Sequence, residues 1–223
     1  MGRSLPPSPS RRVSDFLAKK TARARIAFII DATGSREHTW DVAAQLQAGM
    51  LSEAAKLGGL EMQVTYFGGL DTVKSSNWTD DARELQHFMG RVRCDHGHTK
   101  CTRALAHVRG EHRRQAISAV VLIGDMLEEA PHTLYDSVAG LGVPCFCFQE
   151  GSDPQLREGF KELWEAFREV ARLTKGAYCA FDAGSIAQLR ELLQAVACFA
   201  VGGLTALADL RTDSARKLLG QMK

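Results

Sequence analysis

A chain of 223 residues fits one domain of ordinary size, able to bury about 70% of the surface its unfolded form would expose. Apolar residues at 45% and charged residues at 24% exclude disorder of the whole chain. The formal charge of +2 is uneven: through Arg25 seven Lys or Arg stand against one acid, Asp15, so the remainder is mildly acidic.

Residues 1–24 hold Pro6-Pro7, Pro9 and scattered Ser, and read as a flexible basic N-terminal tail. Its cations lack interleaved aromatics, so no nucleic-acid partner is expected. No apolar core follows them, so no secretory signal is expected either. Residues 26–30, Ile-Ala-Phe-Ile-Ile, form an apolar run that predicts a strand buried on both faces and ending at Asp31. Trp40, Ala43, Ala44, Gln47, Met50, Leu51, Ala54 and Leu57 recur at three and four, the stripe of an amphipathic helix closed by Gly58-Gly59. Residues 61–67 alternate, with Met62, Val64 and Tyr66 on one face of a second strand. After Gly68-Gly69 a helix is predicted over 80–92, with Leu85, Phe88, Met89 and Val92 inward.

A helix over 102–112 leads to the apolar run 117–123, short enough to be only a buried strand, which stops before Asp125. Helix 131–141, strand 143–148, helix 154–174, strand 177–181 and helix 185–200 continue the alternation. Such alternation predicts an α/β fold, doubly wound, with a mostly parallel sheet and helices on both faces. Residues 204–219 carry Leu204, Leu207, Ala208, Ala215 and Leu218 on one stripe and predict a terminal helix, so 202–223 reads as a helical extension of a domain over 25–201. The longest apolar stretch, 192–207, is broken by Gln194 and Gly202-Gly203 and falls short of the roughly 20 residues of a membrane span. Six cysteines, with Cys145 and Cys147 in a buried strand, suit small core residues in a reducing cytoplasm.

The turn after the first strand carries Asp31, Thr33 and Ser35, an acid and two hydroxyls at alternate positions around Gly34. Ligands of open α/β sheets bind at such carboxyl ends of central strands. Oxygen donors free of thiolate and imidazole suit a hard cation such as Mg²⁺ or Mn²⁺. Alone, the same three residues would serve equally as a polar cap on the next helix. Asp31-x-Thr33-x-Ser35 resembles the D-x-S-x-S metal-ion-dependent adhesion site (MIDAS) of von Willebrand factor A (VWA) domains. Gly97-His98-Thr99 followed by Ala104-Leu105 is similar to that family's threonine loop, and 120–125, Val-Val-Leu-Ile-Gly-Asp, to its strand ending in the second acid.

The resemblance, to a stand-alone intracellular bacterial VWA domain, implies six strands with one antiparallel edge strand placed over 70–78. It implies that Thr33 and Ser35 ligate the ion directly, that Thr99 ligates directly or through water, and that Asp31 and Asp125 hold coordinated waters. It further implies a non-catalytic adaptor whose ion accepts an Asp or Glu from a partner protein. Thr33 departs from the usual Ser, and Gly124-Asp125-Met126 from a common Thr-Asp-Gly; neither removes a ligand.

Other readings compete at particular residues. A haloacid dehalogenase-type phosphatase also uses an Asp after its first strand, but needs an acid where Thr33 stands. A scaffold with a vestigial metal site is the third reading. Cys94, His96, His98 and Cys101 could bind zinc, though their spacing matches no structural zinc pattern. Arg103, Arg109, Arg113 and Arg114 suit a solvated helix face or a field that attracts acids. Phe160, Leu163, Trp164, Phe167 and Val170 suit a core-facing stripe or a docking surface.

Overall fold

The computed structural model describes residues 23–34, 60–69, 71–94, 96–97, 100–151, 158–181 and 186–222. The helix expected over 40–57 and the tail through residue 22 lie outside these residues. Six strands, β1 (Ala24–Asp31), β2 (Leu60–Gly68), β3 (Thr72–Ser75), β4 (Ala119–Gly124), β5 (Cys145–Glu150) and β6 (Ala177–Phe181), form one sheet in the order β3-β2-β1-β4-β5-β6. All neighbours run parallel except β2 and β3, so the edge strand is antiparallel as expected, though only four residues long. The described helices are α1 (Ala82–Met89), α2 (Cys101–Arg114), α3 (Pro131–Ala139), α4 (Lys161–Leu173), α5 (Ile186–Leu210) and α6 (Asp213–Leu219).

Every residue of β1 and β4 is buried, which explains the unbroken apolar runs of residues 26–30 and of β4. Alternate side chains feed two cores. Ile26, Phe28 and Ile30 point with Met62, Val64 and Phe148 toward α1, α5 and α6; Ala27 and Ile29 point with Val120, Leu122 and Cys147 toward α2, α3 and α4. From β1 the chain winds outward through β2 to β3, and from β4 the other way to β6. The direction of winding therefore reverses between β1 and β4, and the carboxyl ends of those two strands flank the crevice where such sheets bind ligands.

The observed boundaries differ from the sequence expectation where polar groups are buried or a turn intervenes. β5 extends to Gln149 and Glu150, both buried, beyond the apolar run that ends at Phe148. Gln149 is satisfied internally: its amide donates to the carbonyls of Asp125 (2.8 Å) and Trp164 (3.2 Å), and Tyr178 donates its hydroxyl to Oε1 (2.8 Å). The single terminal helix expected over 204–219 is two pieces. α5 runs on through a kink at Gly203 (φ 68°), and Arg211 (φ 54°) then breaks the chain before Thr212 caps α6 by accepting the Ala215 N–H. The helical stretch Ala187–Leu210 is long and apolar enough by length and composition to cross a membrane, more than the sequence stretch suggested, yet 56% of its apolar 18-residue window is buried. Five of the six cysteines are buried and all six are free thiols. On α4, Trp164, Phe167 and Val170 face the core while Phe160 is exposed.

At the amino end of the sheet a buried cation organises the edge. The Arg25 guanidinium lies 3.6 Å over the Trp78 ring, its Nε sits 3.4 Å from the Glu61 carboxylate, and its Nη1 donates to the Gln115 carbonyl at 3.1 Å. Trp78 in turn donates its indole N–H to Glu111 at 2.7 Å, and Arg114 approaches the other oxygen at 2.6 Å. The Trp78 bond first, and then the bond and charge of Arg114, hold the Glu111 carboxyl below its ordinary value of 4.5 against the opposing effect of burial. A lowered carboxyl contributes stability that is complete above that ordinary value and is lost as pH falls through the lowered one. Trp78→Phe is expected to move the Glu111 titration, followed by carboxylate NMR, back toward 4.5 and to flatten the acid limb of the stability curve. An unmoved titration would show that the indole is not what holds it.

Candidate metal centre

Asp31 ends β1 with its side chain fully buried, and Thr33 two residues on is also buried. The turn is locally determined. Asp31 Oδ1 accepts the Thr33 backbone N–H at 2.8 Å, a short Asx-type bond, while the Ala32 N–H continues the ladder onto the Phe67 carbonyl at 2.8 Å. Gly68 allows that closeness: a Cβ there would lie 2.4 Å from the Ala32 carbonyl oxygen.

On the other side stands Gly124, the last residue of β4. A Cβ at this position would meet the Asp31 Cβ at 2.9 Å and its Oδ2 at 3.2 Å, so the missing side chain is the space the Asp31 carboxylate occupies. Asp125 follows directly and is half-buried. Its Oδ1 accepts the Met126 N–H at 2.7 Å, and its carbonyl is held by Gln149 at 2.8 Å. The structure thus brings Asp31, Thr33 and Asp125 to the same crevice of the sheet. Ser35 and Thr99 lie outside the described residues.

The flanks of the threonine loop are described, and they reach this crevice. His96 packs on the Asp31 turn so closely that a Cβ on Gly34 would lie 2.4 Å from its Nδ1. At the other flank, the amino end of α2 is clamped by Glu129 from the loop after Asp125. Glu129 accepts the N–H groups of Cys101 (2.8 Å) and Thr102 (3.0 Å) and the Thr102 hydroxyl (2.5 Å). A carboxylate there satisfies donors that the helix leaves open and opposes the positive end of its dipole. Burial pushes the Cys101 thiol well above its usual range, and the charges of Glu129, Cys145 and Asp31 push the same way. Sequence reading missed the contacts of Gly124, Glu129 and His96; each works across 27 to 93 positions of chain, which no local spacing reveals.

Among the described residues, no three His, Cys, Asp or Glu side chains gather as ligands. That count bears on zinc: Cys94 packs against the α1 side of the sheet, Cys101 is buried on the α2 side, and His96 is exposed, so these three do not converge. It bears little on the oxygen site, whose expected set has two carboxylates and otherwise hydroxyls. The donors present, Asp31, Thr33 and Asp125, fit a hard cation in kind, and the Gly124 cradle fits the carboxylate of Asp31.

No protein-family model matches the sequence, and no curated protein sequence matches it. Solved structures do. A von Willebrand factor type A protein from Catenulispora acidiphila superposes with a TM-score of 0.62 at 19% identity, covering 81% of this chain and 43% of that one. The SpRpn10 VWA domain gives 0.58 at 9% identity, with 75% and 95% covered. The pilus adhesin SpaC from Lactobacillus rhamnosus GG gives 0.61 at 11%, with 82% and 30% covered. The chain therefore has the von Willebrand factor A fold, and it spans less than half of the Catenulispora protein.

The two glycines of the site differ in what a methyl would meet. Gly124→Ala pushes on a buried carboxylate and is expected to cost about 1–3 kcal/mol in urea unfolding. Gly34→Ala pushes on an exposed ring, so stability should change by only about 0.5 kcal/mol while the His96 ring resonances shift. Equal costs at the two positions would contradict this packing.

Proposed function

We propose that the chain is a non-catalytic, cytoplasmic protein-interaction module. In this reading it binds a divalent cation, Mg²⁺ or Mn²⁺, through Asp31, Thr33, Ser35, Thr99 and Asp125, and through that ion docks an Asp or Glu of a partner protein. The observation that carries the reading is the Asp31 carboxylate seated against Gly124, one residue before Asp125, at the reversal point of the sheet.

The residues divide the work by charge. Two carboxylates supply less negative charge than a site saturated by acids, and neutral hydroxyls supply geometry without further charge. A bound divalent ion would supply a Lewis-acidic position for an outside carboxylate, a charge-assisted contact that is exacting in distance. Gln149 and Glu129 act behind these groups, fixing the Asp125 backbone and the helix that follows the threonine loop. One structural neighbour is a pilus adhesin, which supports recognition as a use of this fold. Thr33 offers a hydroxyl where the phosphatase reading requires a general acid, so turnover is not expected.

Calorimetric titration of the full chain with MgCl₂ should give a saturable one-site signal that Asp31→Ala removes, with circular dichroism confirming that the variant is folded. The same heat in Asp31→Ala would defeat the metal assignment. Hydrolysis of a generic aryl phosphate with magnesium, abolished by Asp31→Asn, would instead establish an enzyme.

A further inference from the structure

We propose that a second ligand site lies beside the first, in the cleft between the β2–β3 edge and the turn that ends α1, and that it binds a phosphomonoester dianion. The cleft has a volume of about 400 Å³. Its walls carry three cations, Lys74, Arg91 and Arg93, and two hydroxyls, Tyr66 and Thr72; no carboxylate lines it among the described residues. The proposal is independent of the metal, since none of these residues belongs to the Asp31 centre.

The fold itself assembles the three charges. Antiparallel pairing sets Lys74 directly opposite Tyr66 and Thr72 opposite Gly68. Gly90 ends α1, and the chain turns back with the Arg91 N–H on the Phe88 carbonyl (3.2 Å) and the Val92 N–H on that of Met89 (3.0 Å). The Tyr66 and Phe88 rings pack at 5.8 Å, pinning the end of the helix to β2. Val92 is buried between Arg91 and Arg93, so the two guanidinium groups extend from an anchored turn. The backbone that carries them is thus set by the core, without help from a ligand.

Among the described residues, no counter-charge meets these cations. Elsewhere on the helices, Arg83, Arg114, Arg168 and Arg172 each lie within 3.1 Å of a carboxylate. Among the described residues no acid pairs with Lys74, Arg91 or Arg93, and Arg93 donates only to the Val92 carbonyl, at 3.4 Å. Three like charges held around one cleft repel, and an anion relieves that repulsion. A carboxylate brings one charge. A phosphomonoester brings nearly two at neutral pH and three acceptor oxygens, enough to meet the guanidinium groups, the ammonium and the two hydroxyls together. The charge count favours it.

The test is an NMR titration of the full chain in magnesium-free buffer containing EDTA, at constant ionic strength, with inorganic phosphate, capped phosphoserine and acetate as probes. The two phosphates are expected to shift the amides of Thr72, Lys74, Arg91 and Arg93, with acetate about tenfold weaker. Tighter binding of capped phosphoserine identifies a phosphorylated side chain as the source, and tighter binding of inorganic phosphate a free oxyanion; both outcomes support the site. The Lys74→Gln/Arg91→Gln/Arg93→Gln variant changes exposed residues only and should stay folded by circular dichroism while losing about tenfold or more in affinity. Tyr66→Phe should lose less, and Arg91→Lys should largely retain binding. Asp31→Ala should bind phosphate as the parent does even where its magnesium signal is gone. Equal binding of acetate, shifts spread over every basic residue, full affinity in the triple variant, or loss of phosphate binding in Asp31→Ala would each overturn the proposal.

Discussion

The crevice of this protein depends on one close contact, the buried carboxylate of Asp31 lying where the side chain of residue 124 would otherwise be. Parallel pairing of β1 with β4 fixes the register that makes the contact, with Ile30 beside Ile123 and the two strand ends reaching the crevice one residue later. A carboxylate buried at a strand end is costly unless its oxygens are engaged. Part of that engagement is local, through the Thr33 amide, and this bond also bends the chain away from the sheet. The same residue therefore ends the strand, shapes the turn and presents the acid.

Around that contact the loops are braced by polar groups that belong to neighbouring elements. Gln149, inside β5, holds the carbonyl of Asp125 and is held in turn by Tyr178 of β6. Glu129 spans from the loop after Asp125 to the amino end of α2 and so couples the end of β4 to the helix that follows the threonine loop. His96 closes the ring by resting on Gly34. Gln149, buried with its amide donating twice and its oxygen accepting from Tyr178, specifies one arrangement more sharply than apolar packing does. Together the three residues give the turn at Asp31 a defined surrounding on three sides.

Much of the sheet was legible in the sequence because a strand buried on both faces reads as an apolar run, and β4 and residues 26–30 of β1 do. The same logic misplaced the end of β5, since Gln149 and Glu150 are polar and buried, and the partners of Gln149 come from distant segments of the chain. The terminal region misled for a different reason. Arg211 adopts positive φ inside a stripe whose apolar spacing continues across it, so periodicity alone saw one helix over 204–219 where the chain breaks in two, while α5 runs on through the kink at Gly203. In the crevice, Asp31, Thr33 and Asp125 could be read from short motifs, because each motif is contiguous in the chain. Gly124, Glu129 and the cation cleft could not, because their meaning arises only when distant segments meet.

The edge of the sheet ends up with opposite charges a short distance apart. Acids cluster at β1 and β4, while cations cluster beside β2 and β3, with Gly68 touching Ala32 of the acidic turn and also lining the cationic cleft. Strands are spaced at about 4.8 Å, so the two regions are separated by roughly one to two strand widths, on the order of 10 Å. That distance exceeds a single side-chain contact but is easily spanned by three or four residues of extended peptide. A ligand carrying an anion for the cleft and a carboxylate for a bound cation would engage both, and the second contact would then form at the high effective concentration of a tethered group. A ligand with either charge alone would forgo that gain. The spacing of the two clusters, fixed by β-sheet geometry, would therefore select partners by the distance between their negative groups as well as by their charge.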